Sequence, residues 1–498
     1  MILIALIKKE IVATVLDLRF VIASLLFLVL IPLGMYVSRK EYEQRLANYQ
    51  LEHQMYRQKY GKEVSSKVEV QGFRPPSMLS IFASGLDHYI PDKVITSRTG
   101  IFRTAKGVPG NSPSLLFGQM DLFFNMCFVA SLVALVFTFS SISGEKQAGT
   151  LGLMLSHPVS RSHILLSKII GAYVSLLIPL AMSLLIAAII LELSQDISII
   201  LPQLYPSFLI ILGVTLVYLL TMVTLGVLIS GTTQKPIISM TVSLFVWVII
   251  VLALPKVSTM LARIIYPVKA EQVVNLKKYM TLDDLQETYE QKSIDIHKKY
   301  PHLSDKLIRE YYWKKQDMSK LKEKHGLPPD AQLPLPSEVQ IVAPLDEELA
   351  ALLKEHEDQI KNEMGHIIQN HKNKMNMQNA IAMYISRLSP ACCYSYLVSG
   401  LSNTGTGEYN QFMKIAQEFQ DLVKKTIYDN YFSRIDAKIR AGHRLHSPPD
   451  TVPDLQYHYL SLTEILEAGL ADVILSIGFT FLFFTLAFVT FNRYDVRP

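Results

Sequence analysis

Long runs of apolar residues alternate with polar stretches along this chain. A helix that crosses the hydrocarbon core of a bilayer needs about 20 mostly apolar residues. Six runs meet that length, at Phe20–Val37, Leu122–Ile142, Ile169–Leu191, Ser207–Ile229, Ile237–Leu254 and Leu470–Phe491. The pattern therefore predicts an α-helical polytopic membrane protein with six transmembrane helices, which are called spans one to six below.

The residues before the first run have a pattern of their own. Glu10, Thr14 and Asp17 recur at helical spacing, with apolar residues on the remaining faces. This pattern predicts an amphipathic helix that lies in the membrane interface before span one. The alternative is a simple extension of span one, with Lys8 and Lys9 reaching back to water.

Basic residues in the short loops predict the orientation of the chain. Short cytoplasmic loops carry an excess of Lys and Arg. The loop SQDISIILPQLY between spans three and four has neither. Basic residues do flank the other short connections and the termini, at Lys8, Lys9, Lys146, Arg161, Lys168, Lys235, Arg493 and Arg497. Both termini and the loops 143–168 and 230–236 are therefore expected to face the cytoplasm.

This orientation divides the chain into membrane regions and outer regions. Residues 1–38 are expected to hold the interfacial helix and span one, and residues 469–498 to hold span six and a cytoplasmic tail. Residues 120–254 are expected to hold spans two to five, with the cytoplasmic loop at 143–168. The two remaining segments are a first extracytoplasmic region at 39–119 and a large, mainly helical extracytoplasmic domain at 255–468.

Helical patterns recur within the outer regions. The first region begins with a helical stretch, Tyr42–Tyr60, and then turns irregular. In the second, SDKLIREYYWKKQDMSKLKEKHG starts with a capping Ser304 and ends at Gly326. A broken helical stripe of apolar residues covers 345–375. A third helix is predicted over 410–432, with one apolar face made of Phe412, Ile415, Phe419 and Leu422.

Composition narrows the classes of function. Half of the residues are hydrophobic and only 18% are charged, which is too apolar for an ordinary soluble enzyme. The net charge of +5 is not concentrated in one block, so nucleic acid is not an expected partner. The sequence has no Gly-x-x-x-x-Gly-Lys-[Ser/Thr] loop to hold ATP phosphates. Mid-span acids for a proton-coupled carrier are also missing, which suggests that energy arrives from another protein.

Candidate metal ligands are weak. The thioethers of Met375, Met377 and Met383 suit soft metals, and His443 and His446 can share a helical face. Methionines more often fill gaps in a core, and the histidines stand in a polar loop. No metal site is therefore expected, and no catalytic residue is assigned.

The loop between spans two and three can be interpreted as a mechanical element. Glu145 and Lys146 are expected to end span two in water, and Gly149 permits a sharp turn. A short helix follows, with Leu151, Met154 and Leu155 on one side; Pro158 ends it and Ser160 caps the next helix. Such a helix, lying crosswise with an exposed apolar edge, can act as a lever for a partner. The alternative is a helix that simply rests on the membrane surface.

The same stretch, ISGEKQAGTLGLMLSHPVSRSHILLSK, resembles the loop between spans two and three of type-2 ABC exporter permeases (ABC-2). It especially resembles the group that includes the permease for maturation of the copper site of nitrous-oxide reductase. In that group the string forms a coupling helix that docks on a separate ATPase. His157 stands where relatives often have an aromatic residue. The matching positions are Gly144, Glu145, Lys146, Gly149, Thr150, Leu151, Leu155, Ser156, Pro158, Ser160 and Arg161.

Three other stretches, 74–90, 385–405 and 491–497, are similar to a subfamily of these permeases with two large extracytoplasmic insertions. The resemblance implies a permease subunit in a bacterial cytoplasmic (inner) membrane that is not itself an enzyme. ATP and Mg²⁺ would bind the partner ATPase, and a second permease copy or a homologous permease would complete the transporter. Because the spans contain no continuous line of polar residues, the expected exported substrate is a lipid or other amphiphile. The alternative is a mechanotransmitter or scaffold that moves an extracytoplasmic partner protein without transporting a substrate.

Overall fold

Six helices are long and apolar enough to cross a membrane. In a computed structural model, the described residues are 2–60, 70–96, 102–105, 120–156, 158–192, 201–324, 340–423, 425 and 453–494. Within these residues the six helices are Leu18–Gln58, Leu122–Gln147, Arg161–Glu192, Tyr205–Thr232, Pro236–Ile265 and Leu462–Asn492. Each contains one of the apolar runs, so the prediction of a polytopic helical membrane protein is confirmed.

The N-terminal segment is a separate helix. Helix α1 (Ile2–Val15) ends before Asp17, whose carboxylate accepts a hydrogen bond from the backbone N–H of Arg19 at 3.0 Å. Helix α2 (Leu18–Tyr60) then begins, so α1 is not a simple extension of span one. The 43 residues of α2 rise about 65 Å, twice the thickness of a hydrocarbon core. Span one and the helical stretch predicted at Tyr42–Tyr60 are therefore one continuous helix.

Spans two and four are the most buried of the six spans. Span two is built from α3 (Leu122–Phe124), a π-helical segment (Asn125–Ala130), α4 (Ser131–Thr138) and α5 (Ser143–Gln147). After the short α6 (Thr150–Ser156), spans three and four are α7 (Arg161–Glu192) and α8 (Leu201–Thr232). Helix α8 packs against spans two, three and six, and α1 and α2 both pack against α7.

Span five runs further than its apolar run. It consists of α9 (Pro236–Trp247), a π-helical segment (Val248–Ala253) and α10 (Leu254–Ile265). The sequence predicts an end at Leu254, but the helix continues for more than two further turns. Most side chains in its apolar window face outward, where a bilayer surrounds a membrane protein.

Beyond span five, α11 (Glu271–Lys298) and α13 (Ala343–Ser386) pack side by side as a two-helix stalk. At its far end, α12 (Asp305–Lys324) contributes to a small core. Ser304 caps α12 as predicted, because its hydroxyl accepts a hydrogen bond from Leu307 N–H at 3.3 Å. The apolar stripe at 345–375 is confirmed as part of α13, which is longer than the stripe.

Residues from 70–94 and 412–455 share one hydrophobic core. Strands β1 (Val70–Phe73), β2 (Lys93–Thr96) and β3 (Phe102–Ala105) form an antiparallel sheet in that order, in a region that the sequence pattern treats as irregular. Helix α15 (Thr406–Val423) begins four residues before the predicted start at 410, and residues 426–432 of the prediction lie outside the described residues. Phe412, Ile415 and Phe419 share one face of α15, as predicted, and this face packs on the sheet. The fourth predicted member of that face is wrong: Leu422 is exposed, and Val423 is buried in its place.

Helix α14 (Pro390–Leu401) packs beside spans four and six. The ring of Tyr394 stacks on that of Tyr218, near the middle of span four, with centroids 4.5 Å apart. Just before α14, Arg387 forms a two-pronged ion pair with Asp472 of α16 (Leu462–Asn492), at 2.7 and 2.9 Å. These contacts anchor α14 against the spans.

Candidate coupling site

The end of span two is joined to the end of span four by a serine. The hydroxyl of Ser230 accepts hydrogen bonds from the backbone N–H groups of Ile142 and Ser143, both at 3.0 Å, and donates to the Phe139 carbonyl at 2.8 Å. The first N–H groups of a helix have no partner within the helix. Because Ser230 satisfies two of them at α5, spans two and four are held together where the loop begins.

A buried lysine joins three segments of the chain. The ammonium group of Lys168, in span three, lies 2.7 Å from Glu145 and 3.3 Å from Glu10 of α1. The Lys168 side chain is only 1% exposed, and both carboxylates are largely shielded from water. A buried charge is tolerated when it is paired, so this triad ties α1, α5 and span three to one another.

Lys146 joins the loop to the end of span four. Its ammonium group donates to the backbone carbonyls of Gly231 and Thr233, the latter at 3.1 Å, and lies 4.8 Å from the centre of the Tyr494 ring. The last carbonyls of a helix lack partners within it and carry partial negative charge. Lys146 therefore caps α8 while contacting the segment that follows span six.

Arg161 makes the equivalent connection to span six. One guanidinium nitrogen donates to the backbone carbonyls of Asn492 at 2.7 Å, Tyr494 at 3.0 Å and Phe491 at 3.4 Å. These carbonyls are at the C-terminal end of α16. The start of span three is thereby fixed to the end of span six by a charged hydrogen-bond donor.

Helix α6 lies between these connections. Gly149 adopts φ = +72°, a left-handed conformation that glycine reaches without steric cost, so it makes the predicted turn. Leu151 is buried, and Met154 and Leu155 pack against the same core. These three side chains do lie on one side, but that side faces inward. The exposed apolar residue of α6 is Leu153, at 68%.

The ends of α6 follow the sequence pattern. The helix ends at Ser156, two residues before Pro158, and both residues are exposed. The Ser160 hydroxyl accepts a hydrogen bond from His163 N–H at 3.4 Å at the start of α7, which is the predicted cap. Thr150 directly follows the turn, and Gly144 lies within α5; His157 lies outside the described residues.

Two features of this site differ from the sequence expectation. Glu145 and Lys146 are half-buried rather than free in water, because each is engaged by another segment. The partners Glu10 and Lys168 are not predicted as site residues. Lys168 lies within a run of Leu and Ile, and Glu10 is the one acid of α1. Each position signals a charged side chain that needs a partner, but neither identifies which partner.

Among the described residues, no group of three or more His, Cys, Asp or Glu side chains is arranged to hold a metal ion. The site instead consists of ion pairs and helix caps that connect α1, α6 and spans two, three, four and six.

The fold and the site define a multi-pass membrane protein whose loop after span two is linked to most of its other spans. The family model described as ABC-2 family transporter protein matches residues 4–496. The chain therefore belongs to this family of transporter membrane components. No curated protein matches it.

Proposed function

We propose that this protein is the permease subunit of an ATP-driven ABC-2 exporter, and that α6 is the coupling helix that docks on a separate ATPase. The observation that carries the proposal is the ion triad of Lys168 with Glu145 and Glu10, because it links the loop that holds α6 to the membrane helices. Leu153, on the solvent-exposed side of α6, offers an apolar contact for the ATPase.

Movement of α6 is transmitted through specific groups. Glu145 transmits the movement to span three through its ion pair with Lys168. Lys146 transmits it to the end of span four, and Arg161 transmits it to the end of span six. Gly149 allows α6 to lie at an angle to span two. The coupling segment comprises Gly144, Glu145, Lys146, Gly149, Thr150, Leu151, Met154, Leu155, Ser156, His157, Pro158 and Arg161.

A coupling role for α6 implies an orientation of the protein in the membrane and a set of partner subunits. Both termini and α6 face the cytoplasm of a bacterial cell whose cytoplasmic (inner) membrane holds the protein, in agreement with the distribution of basic residues in the short loops. ATP and Mg²⁺ bind two ATPase subunits, and a second permease copy or a homologous permease completes the transporter. We place it in the group similar to the nitrous-oxide-reductase maturation permease.

A lipid or other amphiphile is the proposed substrate class. The two most buried charged side chains along spans three and six, Lys168 and Asp472, are both neutralised by ion pairs within the chain. Neither is left to guide a charged solute through the membrane. A lipid or other amphiphile moving along the lipid-facing surface needs no unpaired charged side chain.

A matched pair of substitutions tests the docking assignment. Leu153→Asp places a charge on the exposed side of α6, and Ile294→Asp places one at a similarly exposed apolar position of the stalk. The chain is co-expressed with its ATPase and purified as a complex. We expect Leu153→Asp to abolish co-purification and permease-stimulated ATP hydrolysis, and Ile294→Asp to preserve both. Full stimulation of ATP hydrolysis with Leu153→Asp would reject α6 as the docking element.

The length of the stalk supports the alternative function, in which the protein is a mechanotransmitter. Helix α13 has 44 residues and rises about 66 Å, so the stalk extends far beyond what a pathway across the membrane requires. A mechanotransmitter would use such a stalk to move an extracytoplasmic protein. Vesicles that contain the complex distinguish the two functions: ATP-dependent transfer of a fluorescent lipid supports export, whereas ATP-dependent stalk movement without transfer supports mechanotransmission.

A further inference from the structure

The outer end of span five carries an apolar face that no described segment covers. Helix α10 follows the π-helical segment directly, and its exposed apolar residues recur at helical spacing on one face. Small residues, Ser258 and Ala262, are buried within α10, which packs against α13. The outer apolar face consists of Val257, Met260, Leu261, Ile264 and Ile265.

Basic residues surround this face. Residues 256–278 contain five Lys or Arg residues and one acid, Glu271. On α13, residues 364–386 contain no acid and include two lysines. The two segments are neighbours, because the Gln378 side chain donates to the Tyr266 carbonyl at 2.7 Å. The basic collar is defined as Lys256, Arg263, Lys269, Lys277, Lys278, Lys372 and Lys374.

The collar differs from the remainder of the stalk in its balance of basic and acidic residues. Within the described part of the chain, none of the seven collar cations forms an ion pair. Further along α11, three lysines pair with acids at 2.9 to 3.0 Å, as Lys292–Glu355, Lys298–Asp295 and Lys299–Glu348. Lys354 and Lys361, further along α13, are also unpaired among the described residues, but they stand among acids, at Glu355, Glu357, Asp358 and Glu363. An excess of positive charge is therefore found at the end of the stalk nearest span five.

Chain connectivity places Lys256, the first residue of the collar, at a membrane boundary. The rise from Pro236 to Lys256 is about 30 Å, which equals the thickness of a hydrocarbon core. With Pro236 at one boundary, Lys256 is at the other, and α10 continues at the depth of the lipid headgroups. An apolar face flanked by cations at that depth matches the two parts of an anionic lipid, its acyl chain and its phosphate.

We propose that the outer apolar face and the basic collar together bind anionic phospholipid. The acyl chains contact the apolar face, and the phosphates are bound by the collar cations. The assignment of this lipid to the outer leaflet rests on the proposed function, but the binding itself does not. Bound lipid holds the base of the stalk at the bilayer surface while the spans move.

Lipid retention by the purified full chain tests the proposal. The detergent-solubilised protein is titrated with phosphatidylglycerol or with phosphatidylcholine, and bound lipids are counted by native mass spectrometry. We expect phosphatidylglycerol to bind more tightly than phosphatidylcholine. A collar variant should lose at least about tenfold in affinity for phosphatidylglycerol and keep its affinity for phosphatidylcholine. Its substitutions are Lys269→Gln, Lys277→Gln, Lys278→Gln and Lys372→Gln.

The matched control alters the paired lysines further along α11, through Lys292→Gln, Lys298→Gln and Lys299→Gln. This variant loses three positive charges but should keep its affinity for phosphatidylglycerol. Equal binding of both lipids by the unaltered chain, or an equal loss in both variants, overturns the proposal. A collar variant that changes from dimer to monomer without losing lipid also overturns the proposal. That result would show that a second copy of the chain, and not lipid, covers the apolar face and the collar. No ATPase is present, so failure here leaves the docking test of α6 unaffected.

Discussion

The ammonium group of Lys168 lies 2.7 Å from a carboxylate oxygen of Glu145 and 3.3 Å from one of Glu10. One buried cation therefore pairs with acids from two other segments of the chain. Glu10 is 158 residues away in sequence, so this contact fixes α1 against span three. The second oxygen of Glu145 is buried and has no hydrogen-bond partner among the described residues, so Lys168 is its main stabilising contact.

Replacing the cation should be more damaging than replacing the whole triad. Lys168→Met leaves two buried carboxylates without a partner, and we expect the free energy of unfolding to fall by about 3–5 kcal/mol. Chemical denaturation of the detergent-solubilised chain measures this loss. The triple variant Lys168→Met, Glu10→Gln, Glu145→Gln removes all three charges and should recover most of it. A triple variant as unstable as Lys168→Met alone would show that packing, not charge, accounts for the loss.

Arg161 should protect the end of span six from fraying. Arg161→Ala removes the guanidinium group that donates to the carbonyls of Phe491, Asn492 and Tyr494. We expect hydrogen–deuterium exchange of the backbone amides at 488–494 to accelerate, with a stability loss of about 1–2 kcal/mol. Arg263→Ala is the control, because that side chain is exposed and has no described ion-pair partner. Unchanged exchange at 488–494 in Arg161→Ala contradicts the capping role.

Local pattern is sufficient to predict the spans, because an apolar run of about 20 residues needs no information from elsewhere in the chain. The cap at Ser160 and the turn at Gly149 are also predictable, since both depend only on neighbouring residues. The partner of Lys168 is not local. Nothing around residue 168 indicates that an acid near the N-terminus will pack against it.

The core between the three-stranded sheet and α15 also depends on contacts between distant parts of the chain, which local pattern does not predict. Strands β1 and β2 have four residues each, too few for a clear alternation of apolar and polar positions, and they are stabilised by α15 more than 300 residues later. The sequence pattern correctly predicts the face of α15 through Phe419 but then wrongly assigns Leu422 to it, because 3.6 residues per turn permit either Leu422 or Val423 at the next turn. Only packing against the sheet selects Val423.

Two glycines of span four should respond differently to the same substitution. A Cβ atom at Gly226 would lie 1.9 Å from the Thr138 hydroxyl oxygen, whereas a Cβ at Gly213 meets no atom within 4 Å. Because spans two and four pack closely at Gly226, we expect Gly226→Ala to cost about 1–3 kcal/mol. Gly213→Ala should be neutral or slightly stabilising. The measurement is the unfolding midpoint of each variant in detergent.

Relief of the clash provides the second test of this close packing. Adding Thr138→Ala to Gly226→Ala removes the hydroxyl that the new methyl group would meet, so most of the lost stability should return. The Thr138 hydroxyl bonds to the Ala134 carbonyl within its own helix, so its loss alone is expected to matter little. A double variant no more stable than Gly226→Ala contradicts the predicted contact.

The carboxyl group of Asp121, which caps the first helical turn of span two, should make stability depend on pH. Burial raises its pKa from an ordinary value of 3.8 to about 6, although hydrogen bonds from Ser84 and from the Phe124 backbone N–H lower it. The folded protein therefore favours the protonated acid. Its contribution to stability is complete below pH 3.8 and is lost as the pH rises through 6, with a total of about 3 kcal/mol.

Asp121→Asn is neutral at every pH and isolates this effect. We expect the free energy of unfolding of the unaltered chain, minus that of Asp121→Asn, to decrease by up to about 3 kcal/mol between pH 4 and pH 7. Chemical denaturation at a series of pH values measures it, and other titrating groups cancel in the difference. Ser84→Ala removes a hydrogen bond that favours the ionised form, so in that background the decrease should extend to higher pH. A difference that stays constant or rises with pH contradicts the raised pKa.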